Sequence, residues 1–230
     1  MKATKWKSYS LALIAGMSVL TACSSDDNND NGGNGNNGNG NEIENGTTLK
    51  GTITSDVTLT AGSTYKLSGE YIVEDGATLN IEAGVKIISI YDDIVDYILV
   101  KQGGKINAVG TSSAPIVMTS EKEEPGAWGG IHICGKAHTN AEGGKGSSEI
   151  GGATYGGNDD ADNSGTLKYV RVEYSGYAFD SEHEANGITF YGVGNGTTVE
   201  YCQAYKGSDD GFEFFGGSVN VSNLVSVSCS

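Results

Sequence analysis

The sequence predicts an all-β fold whose short strands stack as the coils of a solenoid. Three observations point there. Glycine supplies 36 of the 230 residues and proline only two. Short apolar runs, such as YIV, TLNI, VKII, YILV, KINAV, PIVM, GIHI, YVRVEY and ITF, are punctuated by Gly, Asn, Asp and Ser, and no useful stretch carries helical periodicity. A longer period then links distant segments: LKYVRVEYS from Leu167 aligns with VEYCQAYKG from Val199, and both align with VSNLVSVSC from Val221.

The chain opens with the parts of an export signal in order. Lys2, Lys5 and Lys7 give a positive start, and residues 11–22 form an uncharged, mostly apolar run. A membrane-spanning helix needs about 20 apolar residues, so this run reads as a cleaved leader. Leu20-Thr21-Ala22-Cys23 is similar to the lipobox of bacterial lipoproteins. That resemblance implies cleavage before Cys23 and lipid on its thiol, with more than one acyl chain for stable anchoring. A plain secretory signal with an incidental cysteine is the competing reading. Residues 23–46 are rich in Asn, Gly and Asp, have nothing to bury, and are expected to form a disordered tether reaching on the order of 25 Å. Ser24, Ser25, Asp26 and Asp27 resemble the acidic export signal of Bacteroidetes surface lipoproteins. The expected location is therefore the outer membrane, facing the medium.

Charge narrows the partners. The net charge is −15, and loss of Lys2, Lys5 and Lys7 with the leader moves it to −18. Such a chain repels phosphate backbones and polyanionic sugars, so nucleic acid is excluded as a partner. Neutral glycans, proteins and cations are left.

The residues from 47 to 230 suffice for one buried domain. The repeat steps there are 22 residues (Val199 to Val221) and 32 (Leu167 to Val199), the longer one read as a coil carrying an inserted loop. Upstream, GATLNI matches GGKINA, with Leu79 opposite Ile106. A single coil cannot bury its apolar face alone, so coils stack about 4.8 Å apart as a parallel β-helix. A β-sandwich also uses short strands and is the alternative, but it predicts steadier alternation and more hairpin turns.

Three blocks carry a family resemblance. They are YKLSGEYIVEDGATLNIEAGVKI (65–87), followed by 105–120 and 127–137; NSGTLKYVRVEYSG (163–176); and NGITFYGVGNGTTVEYCQAYKGSDDGFEFFGGSVNVSNLVSV (186–227). These are similar to a group of Bacteroidetes lipoproteins and secreted proteins with a right-handed parallel β-helix. The resemblance implies the fold and says little about activity. Relatives usually continue with further coils, whereas this chain stops at Ser230.

Candidate chemistry lies in acidic loops. Asp209, Asp210 and Glu213 in GSDDGFEFFGG offer oxygen ligands of the kind calcium takes, or two carboxylates for a glycosidase. The Asp-Asp pair resembles that of polygalacturonases in those two residues only. A solvated turn, with Phe212 and Phe214 directed into the core, is the plainer reading. Asp159, Asp160 and Asp162 form a second acidic loop, read as an exposed insertion with a calcium-like spacing. Asp180, Glu182 and Glu184 surround His183 in a third. No His pattern supports zinc, and no cofactor is required beyond a candidate calcium ion. Trp128, Tyr155, Tyr174, Tyr177, Tyr191 and Tyr205 fall in loops or at strand ends, where they could stack on sugars or pack a partner. Strand preference for tyrosine explains them equally well. Cys134, Cys202 and Cys229 lack metal-ligand spacing and read as small hydrophobes.

The expected function is binding of an extracellular glycan or protein at the cell surface. A polysaccharide hydrolase or lyase and a structural stalk of the envelope are the rivals. Residues 219–229 are strand-like and uncharged, with no Lys, Pro or acid guarding the edge, so an incomplete chain or a covering subunit is expected.

Overall fold

The computed structural model describes residues 41–180 and 183–230. Cys23, Ser24, Ser25, Asp26 and Asp27 lie outside the described residues. No helix among the described residues is long and apolar enough to cross a membrane.

The strands follow one another in coils. The first two coils are β1 (Asn41–Ile43) with β2 (Thr48–Ile53), and β3 (Val57–Leu59) with β4 (Thr64–Val73). The next two are β5 (Thr78–Ile81), β6 (Lys86–Ser89) and β7 (Tyr97–Val100), then β8 (Lys105–Val109), β9 (Ile116–Ser120) and β10 (Ile131–Cys134). An insertion carrying the hairpin of β11 (Gly146–Ser147) and β12 (Thr154–Tyr155) follows. The stack resumes with β13 (Gly165–Lys168), β14 (Val170–Glu173) and β15 (Ile188–Tyr191), then β16 (Thr198–Glu200), β17 (Gln203–Tyr205) and β18 (Phe212–Phe215). It reaches β19 (Asn220–Ser222) and β20 (Val225–Val227).

Among the described residues, every pairing between these strands is parallel apart from the β11–β12 hairpin, and each joins equivalent strands of successive coils, which makes the domain a parallel β-helix. Three faces result. The first is the seven-stranded sheet β1-β3-β5-β8-β13-β16-β19. The second and third belong to one eleven-stranded sheet that bends through β4, whose first half pairs with β6 and second half with β7. The bend falls at Gly69, where φ is +72° and the backbone N–H donates to the Asp96 carboxylate. A side chain at that φ would be strained, so glycine suits the corner.

The register matches the repeat read from the sequence. Leu167 lies beside Val199, Val199 beside Val221, and Leu79 beside Ile106. The 32-residue step is a coil enlarged by the loop between β14 and β15. Inward columns such as Leu59, Ile81, Ala108 and Leu167 are fully buried and form the axial core. Phe212 packs against the axial core as expected, whereas Phe214 stacks on Phe190 at 5.0 Å and yet remains 43% exposed.

The third face departs from simple alternation. Strands β7, β10 and β15 are buried on both sides. Their outward residues Leu99, Cys134 and Tyr191 join Ile72, Ile150, Ala153, Tyr155 and Ala185 in a second apolar cluster. Ile150, Ala153 and Tyr155 come from the insertion, which roofs the sheet.

Candidate functional site

Apart from the insertion between β10 and β13, the longer loops of the stack collect at one corner, between the second and third faces. Residues 90–96 lead into β7, residues 121–130 into β10, residues 174–187 into β15 and residues 206–211 into β18. A groove of about 260 Å³ lies there, lined by Tyr91, Tyr177, Ile90, Ala127, Asp92 and Asp93 among others. Tyr91 is 57% exposed, and Lys122 Nζ lies 4.3 Å from its ring centroid. Tyr177 is held edge-on by Phe179 at 5.1 Å, and Phe179 in turn by Tyr97 at 6.5 Å. The Tyr97 hydroxyl donates to Glu70 Oε2 at 2.9 Å. The lining thus combines two tyrosines, one of them packed against Phe179, with two carboxylates.

Asp96 anchors this corner from below. Ser89 Oγ donates to it at 2.7 Å, and burial pushes its carboxyl up to about 6 against those bonds.

The acidic residues singled out in the sequence fall at opposite ends of the third face. The backbone carbonyl of Asp210 accepts from Gly187, just before β15, whereas that of Asp160 accepts from Asn195, just after it. The length of a four-residue strand, about 13 Å, separates the groups. Asp160 binds His138 Nδ1 at 2.6 Å, Asp159 caps the N–H of Ala161, and Asp162 is buried against Ser164 Oγ. The bond from His138 holds the Asp160 carboxyl below its usual range. Among the described residues no three metal-ligating side chains gather into a cation site.

The other end is more concentrated. Asn186 Nδ2 donates to Glu213 Oε2 at 2.5 Å. Burial, and then the like charge of Glu149, pushes the Glu213 carboxyl up to about 7. Glu149 is also raised by burial, and Asp209 by burial and then by Glu184 and Asp210. Glu149, Asn186 and Glu184 therefore belong to the Glu213 neighbourhood. Sequence reading attached no role to Glu149 or Asn186, because only the folded insertion carries Glu149 across to β18.

His132, on β10 beneath this roof, is fully buried with Nε2 at 2.7 Å from the Gly129 carbonyl and Nδ1 unpartnered. Burial lowers its pKa to about 4, so it is neutral.

The six aromatic candidates divide. Trp128 is 1% exposed and donates its indole N–H to the Glu173 carbonyl at 2.7 Å. Tyr155, Tyr174 and Tyr191 are buried, Tyr155 and Tyr191 against each other at 5.2 Å. These four are packing residues in this fold. Tyr177 and Tyr205 keep partly open surfaces, the first in the corner groove and the second on the outer side of β17. Tyr91 was not among the candidates. Its exposure depends on the tyrosine standing at the head of the loop before β7, which the sequence alone does not single out.

The family described as a pectate-lyase like beta helix domain matches residues 51–230. No curated protein and no solved structure matches the chain.

Proposed function

We propose, for a chain that belongs to the pectate-lyase-like β-helix family, that it binds a neutral polysaccharide outside the cell, at the corner groove between Tyr91 and Tyr177. The groove itself carries this reading. Two tyrosines, apolar residues and hydrogen-bonding carboxylates gathered in one lining are what a sugar ring requires, since its faces are apolar and its edge is ringed with hydroxyls. The family points toward polysaccharide, and the net charge of −15 disfavours a polyanionic one.

Anchoring through lipid on Cys23 at the outer membrane, on the cell surface, completes the proposal and rests on the leader and on Ser24, Ser25, Asp26 and Asp27. Cys23→Ser is expected to abolish lipid labelling and release the protein from the membrane fraction; labelling that persists overturns the anchor.

The binding test uses the full chain, purified in detergent, on an array of neutral polysaccharides, with reducing ends assayed in parallel. Binding without release of reducing ends, weakened about tenfold or more by Tyr177→Ala, is the expected result. Release of reducing ends that disappears in Glu213→Gln favours a hydrolase instead. The observation behind that second reading is the Glu213 carboxyl, raised to about 7 beside Glu149, where a general acid for glycoside cleavage would be poised.

A further inference from the structure

The opposite edge of the second face carries an aromatic feature of its own. Tyr169, Tyr201 and Asn223 occupy one position in three successive coils, at the turn from the first face to the second, with φ of +51°, +55° and +56°. The turn demands the left-handed region at this position. Asparagine enters that region readily, and a bulky tyrosine does so at a cost. Backbone geometry thus accounts for Asn223 and leaves the two tyrosines unexplained.

Their rings stack nearly parallel, with centroids 4.8 Å apart and 7° between their planes. No ring follows them in the next coil, where Asn223 stands, and Tyr201 is 44% exposed. The two tyrosines line a second groove of about 210 Å³ together with Pro115, Val170, Arg171 and Gln203, the last two being register neighbours on β14 and β17. Arg171, the single arginine in the chain, is fixed in place by a pair with Glu173 and by the Tyr205 ring, 4.6 Å from its guanidinium carbon. Glu173 offsets its charge, so the guanidinium serves as a directed set of donors rather than as bait for an anion. Stacked tyrosines are rigid and lose little entropy when a ligand packs on them.

From this arrangement we infer that the Tyr169–Tyr201 corner, with Arg171 and Gln203, is a second subsite for a neutral sugar. The inference rests on the polysaccharide reading above and deepens it. The two grooves border the two long edges of the second face. That face is one strand of four or five residues across, roughly 13–17 Å, so one oligosaccharide can lie over the sheet and touch both. Two modest subsites joined in this way raise affinity without either being strong alone.

The test measures binding of cello-, xylo-, manno- and maltohexaose to the full chain by calorimetry. Variants are Tyr201→Asn, Arg171→Gln and Tyr177→Ala, each checked for an unchanged melting curve. Tyr201→Asn is the informative one, because the next coil already holds asparagine at that position and folds with it. Expected is a loss of about tenfold in affinity for the hexaose that binds, in Tyr201→Asn and Arg171→Gln alike, with the corresponding trisaccharide weaker than the hexaose. Binding that is lost in Tyr177→Ala and untouched by Tyr201→Asn and Arg171→Gln overturns the second subsite and leaves the corner groove standing. Loss in Tyr201→Asn with none in Tyr177→Ala does the reverse. If none of the four hexaoses binds the unaltered protein, both fall.

Discussion

The first and third faces of the β-helix share one backbone and differ on their outer sides. Along the first face burial alternates residue by residue, as in β5 and β13, and the outward positions carry Thr, Asn and Lys. Two of them, Asn80 and Asn107, are hydrogen-bonded to each other at 3.2 Å along the stack. On the third face β7, β10 and β15 are buried throughout, because the insertion lays Ile150, Ala153 and Tyr155 over Leu99, Cys134 and Tyr191. A solenoid coil needs only its inner side to be apolar. The comparison teaches that an inserted loop turns a solvent face into a second core, and that the loop's polar residues are thereby brought to carboxylates far away in the chain.

The strongest way to break that comparison is to remove the roof. Gly146 and Tyr155 are paired across the hairpin, so residues 147–154 can be replaced by the two-residue turn Asn-Gly. Stripping Ile150 and Ala153 from the cluster should cost about 4–6 kcal/mol. That corresponds to a fall in melting temperature of roughly 10–20 °C. Cys134, buried and with its thiol pushed up to about 12 by that burial, should become accessible to a thiol reagent. An unchanged melting curve with Cys134 still protected would mean that the third face needs no cover.

A single substitution sharpens the same contrast. Leu99→Ala, outward on β7 and fully buried, should lose about 2–5 kcal/mol. Thr198→Ala, outward on β16 of the first face and exposed, should stay within about 0.5 kcal/mol of the parent. Similar losses at the two positions in chemical denaturation would erase the distinction between the faces.

The smallest effect concerns protons at the edge of the roof. The Glu213 carboxyl sits at about 7 in the fold, above its ordinary 4.5, so folding favours its neutral form. Stability from this group is intact below about pH 4.5 and is lost as pH rises through 7. Glutamine never ionises. Glu213→Gln should therefore melt higher than the parent at pH 8 and show no such gain at pH 4. The difference is about 1 kcal/mol, reduced from the full shift because Glu213 is partly exposed. His132 works in the other direction: lowered to about 4, it is held neutral, and its contribution is lost as pH falls below 6.5. A gain in Glu213→Gln that is the same at pH 4 and pH 8 would show that the carboxyl does not titrate there.

Legibility in the sequence followed the same division. Leu79 and Ile106, or Leu167, Val199 and Val221, could be aligned by eye because every coil repeats the same inward demand. The strands within 219–229 were legible too, as β19 and β20, on which Val221, Val225 and Val227 are exposed. The aromatic candidates were not. Trp128 and Tyr191 sit in the same kind of segment as Tyr177, yet two are buried and one is open to the groove. Nor did the acidic loops announce that 159–162 and 209–213 lie at opposite ends of β15.

By itself the sequence determined the class of fold, the coil register and the loop that enlarges the 32-residue coil, since each is dictated by patterns that recur from coil to coil. Only the tertiary structure decided which outward face is roofed and where Glu149 meets Glu213. It likewise decided which tyrosines face solvent, because each of these depends on a loop folding back over coils from which the chain has already moved on. Such contacts occur once, leave no period behind, and are fixed by packing rather than by pattern.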